Sequence, residues 1–130
     1  MRVNAAALGL VVLAACGGND TNKPVDAKPI DGTANTKVVT TDCATSTPAA
    51  TVMTTDASNM YMPMATTITM GQVVKFVTSA THDVNPNPIG TSDPGLKVGF
   101  STTKCLRFTE TGTFGFFCSN HSFAGTITVN

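Results

Sequence analysis

Residues 104–129 read KCLRFTETGTFGFFCSNHSFAGTITV, and this stretch decides the fold. Three short runs rich in Thr, Phe, Val and Ile are separated by Glu110-Thr111-Gly112 and by a Cys-Ser-Asn-His loop. Apolar residues alternate with polar or small ones, which is the period of a half-buried β-strand. The alternation places Phe114, Phe116 and Cys118 on one face. The stretch therefore predicts antiparallel strands whose inward face ends at Cys118.

Further strand-like runs occur upstream, and no window has a helical period. Turn signals rich in Gly, Pro, Asn and Asp separate the runs. Residues 85–94 contain three prolines and are expected to be a surface excursion rather than a strand. The pattern predicts an all-β domain, a β-sandwich of about seven or eight strands. The predicted upstream strands are residues 51–53, 67–70, 73–77 and 97–100.

Composition excludes several classes of partner and activity. The 8 Lys and Arg residues balance the 8 Asp and Glu residues, so the formal net charge is +0. Nucleic acids and anionic lipid surfaces are bound by clustered Lys and Arg, and neither is expected as a partner. With two His and four Cys, the chain has ligands for one small metal site. A copper oxidase or nitrite-reducing enzyme would need a second copper centre, so no enzyme activity is expected.

The N-terminal segment predicts export. Residues 3–15 are apolar except Asn4, and this run is too short to cross a bilayer as a helix. The run ends in Leu13-Ala14-Ala15-Cys16, which resembles the lipobox of bacterial lipoproteins. That resemblance implies a signal peptide over residues 1–15 and lipidation of Cys16. The alternatives are an ordinary secretory signal with an incidental cysteine, or a buried apolar strand.

Residues 17–42 are polar, contain no aromatic residue and have too few apolar residues to form a core. We therefore expect the lipidated Cys16 and a flexible tether over residues 16–42, followed by one domain over residues 43–130. The predicted protein is a monomer on the periplasmic or cell-surface side. Its contact with the membrane would be through the lipid anchor alone.

Both histidines lie in positions that suggest metal binding. His82 follows the predicted strand over residues 73–77, and His121 lies three residues beyond Cys118. One thiolate and two imidazoles match the His₂Cys set of blue-copper electron-transfer sites. A metal-free sandwich with two polar loop histidines is one alternative. A zinc site is another, although structural zinc usually takes a fourth protein ligand.

Residues 59–130 resemble the cupredoxin family, in the group of plastocyanin, pseudoazurin and amicyanin. The resemblance rests on Met62-Pro63, on ITMGQVVKF over residues 68–76, on His82-Asp83-Val84, and on the closing block over residues 108–129. It implies a Greek-key β-sandwich with one copper ion that cycles between Cu(I) and Cu(II). By the same resemblance, His82, Cys118 and His121 are the equatorial copper ligands.

The ligand loop departs from the family pattern after the second histidine. The family's axial methionine is missing, because only Ser, Phe and Ala occupy residues 122–124. The axial position is then left empty or to a backbone carbonyl such as that of Thr81, or to water. Loss of a soft axial donor predicts a reduction potential above that of methionine-ligated relatives. Met62, Met64 and Met70 are expected to be core filler rather than substitute ligands.

Two further residues are assigned supporting roles through the resemblance. Asp83 stands where relatives commonly have an Asn that ties the ligand loops together, and an ionised carboxylate accepts hydrogen bonds without donating them. We therefore expect a weaker tie. The exposed edge of His121 and the apolar Phe123 are the expected docking patch for redox partner proteins.

Two cysteines remain, Cys43 and Cys105. An exported protein would oxidise them to a disulfide, and a second metal-binding pair is the alternative.

The functional prediction is a copper-binding electron-transfer protein. A copper storage or delivery protein is the alternative, but such proteins more often expose clusters of Met or His, and here the methionines crowd only around residues 60–64. A metal-free binding module is the other alternative.

Overall fold

The computed structural model describes residues 36–89 and 92–130. These residues form strands and no helix, so the predicted all-β class is confirmed. No helix within these two ranges is long and apolar enough to span a membrane. The nine strands are β1 (Val38–Thr41), β2 (Ala50–Thr55), β3 (Ser58–Met62), β4 (Ala65–Ile68), β5 (Val73–Val77), β6 (Asn85–Asn87), β7 (Thr103–Phe108), β8 (Gly112–Phe117) and β9 (Ala124–Val129).

The strands form two sheets that enclose one core. The first sheet has the order β1-β7-β5-β2-β3, and the second has the order β4-β9-β8-β6. Strand β2 pairs with β5 in parallel, and β4 pairs with β9 in parallel, whereas the other pairs are antiparallel. Each parallel pair requires a connection that crosses from one sheet to the other or over a neighbouring strand. The result is a mixed β-sandwich.

Aromatic side chains from both sheets fill the core. Phe76 of the first sheet meets Phe116 of the second edge to face, with ring centroids 5.5 Å apart. Phe108 and Phe114 form the same kind of contact at 5.2 Å. Edge-to-face pairs at these distances add to the stabilisation that comes from burial. The alternation in the closing block is therefore confirmed, because its inward residues, Cys118 included, are all buried.

Strand β1 corrects the expected domain boundary. Residues 38–41 were assigned to the tether, yet they pair with β7 in the register Val38↔Phe108 and Thr41↔Cys105. Val38 is fully buried in the core. The two valines and two threonines of β1 are β-branched and suit an extended edge strand. The sandwich therefore begins before Cys43, and a boundary at that residue is too late.

Three other local predictions need correction. The sequence pattern does not predict strands β3 and β6. Strand β6 has three residues and lies at the edge of its sheet. Pro86 is tolerated there because an edge strand has one side without a pairing partner, so the absence of a proline N–H breaks no ladder hydrogen bond. Residues 97–100 do not form the predicted strand. Within them, Val98 makes an isolated bridge to Val84. Leu96 and Val98 are both buried, so these apolar residues belong to the core without forming a strand.

The expected disulfide between Cys43 and Cys105 is present, with the Cα atoms 5.2 Å apart. It joins the segment after β1 to β7 across 62 residues of sequence. The predicted signal peptide, the lipidation site Cys16 and the tether up to residue 35 lie outside the described residues.

Candidate metal centre

The three predicted ligands come from loops at one end of the sandwich. His82 lies in the loop that follows β5 of the first sheet. Cys118 comes directly after β8 of the second sheet, and His121 lies in the loop between β8 and β9. Strands β5 and β8 both end here, and the core between them is packed through Phe76 and Phe116. The rigid sheets therefore fix the starting points of both loops.

His82 is completely buried, and both of its ring nitrogens have partners. The Nδ1 atom lies 3.0 Å from Ser79 Oγ, and the Nε2 atom lies 3.3 Å from Asn59 Oδ1. Thr54 Oγ1 donates to Ser79 Oγ at 3.2 Å and so holds the Ser79 side chain in place. Since Asn59 Oδ1 can only accept, Nε2 carries the ring proton. These contacts fix the orientation of the His82 ring.

His121 and Phe123 cover the ring of His82. The His82 and His121 rings meet edge to face, with centroids 4.9 Å apart. Phe123 also lies edge to face on His82 at 4.9 Å and stacks beside His121 at 6.5 Å. His121 is exposed, whereas Phe123 is half-buried. The loop thus presents one imidazole to solvent and shields the other with an aromatic ring.

The loop from Cys118 to Phe123 is closed by its own backbone. Cys118 N donates to Phe123 O, and Ser122 N donates to Cys118 O, both at 2.9 Å. Ser122 has a φ of 59°, in the left-handed region that a non-glycine residue occupies at some cost. The thiol of Cys118 is buried and outside any disulfide. The tight loop therefore sets the spacing between this thiol and His121.

Asp83 ties the two loops together. Ser119 N donates to Asp83 Oδ1 at 2.8 Å, and Ser119 Oγ and Asn85 Nδ2 each donate to Oδ2 at 2.7 Å. Burial alone would raise the pKa of Asp83, but hydrogen bonds from Ser119, Asn85 and the Cys118 thiol together lower it. The expected weakening of this tie is wrong, because the opposite loop supplies donors for an ionised carboxylate.

Tyr61 supports both loops from β3. Its side chain is buried, and its hydroxyl donates to the Asp83 backbone carbonyl at 2.5 Å. Its ring lies 4.7 Å from the rings of both Phe116 and Phe123. Burial raises the pKa of Tyr61, and the nearby Cys118 and Asp83 raise it further, so the hydroxyl stays a donor.

A second tie lies nearer the surface. Asn120 Nδ2 donates to the Thr81 backbone carbonyl at 3.1 Å. Thr81 in turn donates through its backbone N and its hydroxyl to Asp56 Oδ1 at 3.1 and 2.7 Å. The Thr81 carbonyl, considered above as an axial ligand, is thus engaged by the ligand loop. The methionines considered as substitutes, Met62, Met64 and Met70, are 43%, 56% and 59% exposed, so the expectation that they fill the core is wrong.

The donor chemistry fits copper in kind, with one thiol and two imidazoles at one end of the sandwich. The geometry is less complete. Among residues 36–89 and 92–130, no group of three or more His, Cys, Asp or Glu side chains is arranged to hold a metal ion. The structure brings His82 and His121 into contact and places Cys118 beside Asp83. It does not gather the three predicted ligands into one coordination group.

Sequence reasoning missed the residues that orient the donors. Ser79, Asn59 and Tyr61 contact the site across separations of 3 to 23 residues. Only Ser79 gives a local signal, since it lies three residues before His82. The other two lie on β3, and their position depends on a strand that the sequence pattern did not reveal.

Solved structures similar to this chain include amicyanins and a pseudoazurin. Amicyanin from Paracoccus versutus matches with a TM-score of 0.55 at 22% identity, covering 73% of this chain and 99% of its own. The fold is that of the cupredoxins. A reduced Cu(I) form of an amicyanin variant matches with a TM-score of 0.56 at 20% identity, covering 72% and 99%. Pseudoazurin from Hyphomicrobium denitrificans matches with a TM-score of 0.51 at 24% identity, covering 63% and 76%.

Searches against protein-family models and against curated proteins found no match. The fold therefore rests on structural likeness at low identity.

Proposed function

We propose that this protein is a copper-binding electron carrier whose metal is held by His82, Cys118 and His121. The observation that carries the proposal is the buried His82 in contact with His121, at the end of a cupredoxin-like sandwich where a free buried thiol also lies. A copper ion held by one thiolate and two imidazoles supplies one-electron chemistry between Cu(I) and Cu(II).

The chain's own residues would serve that function by restricting motion and water. Ser79 and Asn59 orient the His82 ring, and the Asp83 tie fixes the Cys118 end of the other loop. Phe123 and Tyr61 shield the imidazole with apolar surface. Ligands that barely move favour fast electron transfer, because little reorganisation accompanies the change of charge. We also propose that the site has no axial thioether and has a correspondingly high reduction potential.

The test is the visible absorption spectrum of the purified full-length chain after addition of Cu(II). We expect a strong absorption band at about 600 nm, which reports thiolate-to-copper charge transfer. Cys118→Ala should abolish the band, whereas Cys16→Ala, the matched control at the other cysteine outside the disulfide, should keep it. Absence of the band in the unmodified chain contradicts the proposal. Tight zinc binding without a copper band would favour a zinc site instead.

Phe123 and the exposed His121 form the proposed docking patch for redox partner proteins. Phe123→Glu places a charge on this patch and should slow electron self-exchange between two copies by about tenfold at low salt. Self-exchange is measured by NMR line broadening in mixtures of oxidised and reduced protein. Met70→Glu, which adds the same charge at the turn before β5, is the control. Equal rates for the two variants would remove the docking role.

Export and anchoring remain proposals that rest on residues 1–16. We expect the mature chain to begin at a lipidated Cys16 and to lie on the periplasmic or cell-surface side. Mass spectrometry of the N-terminal peptide from the membrane fraction measures this directly. An unmodified thiol at residue 16 would contradict the anchor.

A copper storage or delivery protein is the second candidate. It is favoured by the exposure of methionine side chains on the first sheet. A store would bind more than one Cu(I) per chain and would exchange it rapidly with soluble chelators. A carrier would retain one ion through repeated oxidation and reduction.

A further inference from the structure

All five methionines within the described residues are solvent-exposed, at 41–59% of their surface. The sixth methionine of the chain is Met1. Methionine is among the residues most often buried, and its flexible side chain usually fills gaps in cores. Here the core is built from Val, Phe, Leu, Ile and Tyr instead. The exposure of these five described methionines therefore calls for a reason other than packing.

Three of these side chains lie together on the outer face of the first sheet. Met53 on β2 and Met62 on β3 are direct partners in the antiparallel register, which shifts between Met53 and Thr55 and so is irregular beside Met60. Met60 precedes Met62 by two residues, and Tyr61 between them points into the core. Residues directly opposite on neighbouring strands have Cβ atoms about 5 Å apart. We call Met53, Met60 and Met62 the outer methionine cluster.

We propose that the outer methionine cluster is a binding site for Cu(I). Thioethers are soft, uncharged donors that select Cu(I) over hard divalent cations, which prefer oxygen ligands. Three long, flexible side chains on adjacent positions can turn their sulfur atoms toward one ion. The site needs no deprotonation, since a thioether carries no proton. An edge strand leaves the cluster open to solvent and to a donor of the ion.

The cluster lies on the opposite face of the strand that supports the candidate metal centre. From β3, Asn59 contacts the Nε2 atom of His82, and Tyr61 packs on Phe123. Strand β3 therefore separates the outer methionine cluster from the buried imidazole of His82. A surface site here would receive Cu(I) beside the inner donors. Binding at the cluster does not depend on the inner site, and the two are tested separately.

The test uses Ag(I), a closed-shell ion with the charge and softness of Cu(I), added as silver nitrate in chloride-free buffer. The full-length chain carries Cys16→Ser and Cys118→Ala, which remove the thiols outside the disulfide, and its methionine methyl groups are labelled with ¹³C. We expect the methyl signals of Met53, Met60 and Met62 to shift together and to saturate at one ion per chain. Met70, exposed at the turn before β5, should move little.

Matched variants separate a built site from general thioether affinity. Met53→Leu with Met62→Leu keeps the apolar surface and should weaken binding by about tenfold or more. Met70→Leu removes one exposed sulfur and should leave the affinity unchanged. The titration is then repeated with Cu(I) in competition with a bicinchoninate chelator. Because the signals are residue-specific, the chain that keeps Cys118 serves equally if Cys118→Ala folds poorly.

Two results would overturn the proposal. One is a shift of all five methionine signals in proportion, Met70 included, which would show unspecific binding. The other is a loss of affinity at the cluster between about pH 8 and pH 5, which would mean that a titrating imidazole, and not thioethers alone, binds the ion. Neither result would bear on the blue-copper spectrum, so the failure of this site and of the proposed carrier function are distinguishable.

Discussion

Replacement of Asp83 by Ala tests the tie between the two loops of the candidate metal centre. The change removes the acceptor for Ser119 N, Ser119 Oγ and Asn85 Nδ2, which now bond to the carboxylate at 2.7–2.8 Å. Asp83 is only 7% exposed, so water enters its place with difficulty. The loop that carries Cys118 and His121 would lose its main side-chain attachment to the loop of His82.

The magnitude follows from those three bonds. A hydrogen bond to a charged group contributes about 1.5–3 kcal/mol to stability. The Ser119 hydroxyl and the Asn85 amide belong to side chains that water can reach, so their loss is partly compensated. Water reaches the Ser119 backbone N–H less easily, so the loss of its hydrogen bond contributes nearly its full free energy. We therefore expect a loss of about 2–4 kcal/mol for Asp83→Ala.

Asp83→Asn is the conservative change, because it replaces one carboxylate oxygen with an NH₂ group. It keeps one acceptor oxygen but turns an NH₂ group toward the Asn85 amide, so one hydrogen bond is lost. The expected cost is about 1 kcal/mol.

The assay is equilibrium unfolding in urea of the metal-free chain, with a double-mutant cycle that adds Ser119→Ala. Asp83 and Ser119 are in contact, so a coupling of about 1–2 kcal/mol is expected. Asp42→Ala is the control, because the exposed Asp42 carboxylate accepts from the Ala44 backbone alone among the described residues. Additivity within about 0.5 kcal/mol, or equal losses for Asp83→Ala and Asp42→Ala, would refute the reasoning.

Three further predictions concern the framework. A Cβ on Gly95 would lie 1.8 Å from the Val38 carbonyl oxygen, so Gly95→Ala should lower the free energy of unfolding in urea by about 2–4 kcal/mol. Gly99→Ala is the control: the atom nearest to its new Cβ lies at 3.4 Å, and the loss should be about 1 kcal/mol or less. Replacement of both Cys43 and Cys105 by Ala should lower stability by about 3–4 kcal/mol through the entropy of the 62-residue loop, and an unchanged melting temperature would contradict this. The Thr81 hydroxyl chiefly lowers the pKa of Asp56, so this carboxylate stabilises the folded state above about pH 4 and the benefit is lost as pH falls. Asp56→Asn should therefore lower the melting temperature at pH 7 by more than at pH 3.

The closing block could be read from sequence because its information is local. Leu106, Phe108, Phe114 and Phe116 alternate with polar or small residues, and each inward side chain is buried. Strand β1 could not be predicted because its four residues are not set off by turn residues and are too few to show an alternation of apolar and polar side chains. Their strand state depends on pairing with β7, more than sixty residues away.

The candidate site divides in the same way. The candidate ligands His82, Cys118 and His121 could be named because their residue types are scarce and chemically distinctive. Their supports could not, since Asn59 and Tyr61 are ordinary residue types whose role comes only from the position of β3. An edge strand of five residues, with one fully buried side chain, has too weak a pattern to predict.

The hydrogen bonds of His82 bear on how a metal could be received. Nδ1 is engaged by the Ser79 hydroxyl at 3.0 Å, a neutral bond with a net contribution of about 1 kcal/mol. Sets of thiolate and imidazole ligands bind transition metals with about ten times that free energy. When the Ser79 side chain turns away, the Ser79 backbone N–H still donates to Thr54 Oγ1. Release of Nδ1 therefore costs little, while Asn59 keeps hold of Nε2 and preserves the orientation of the ring.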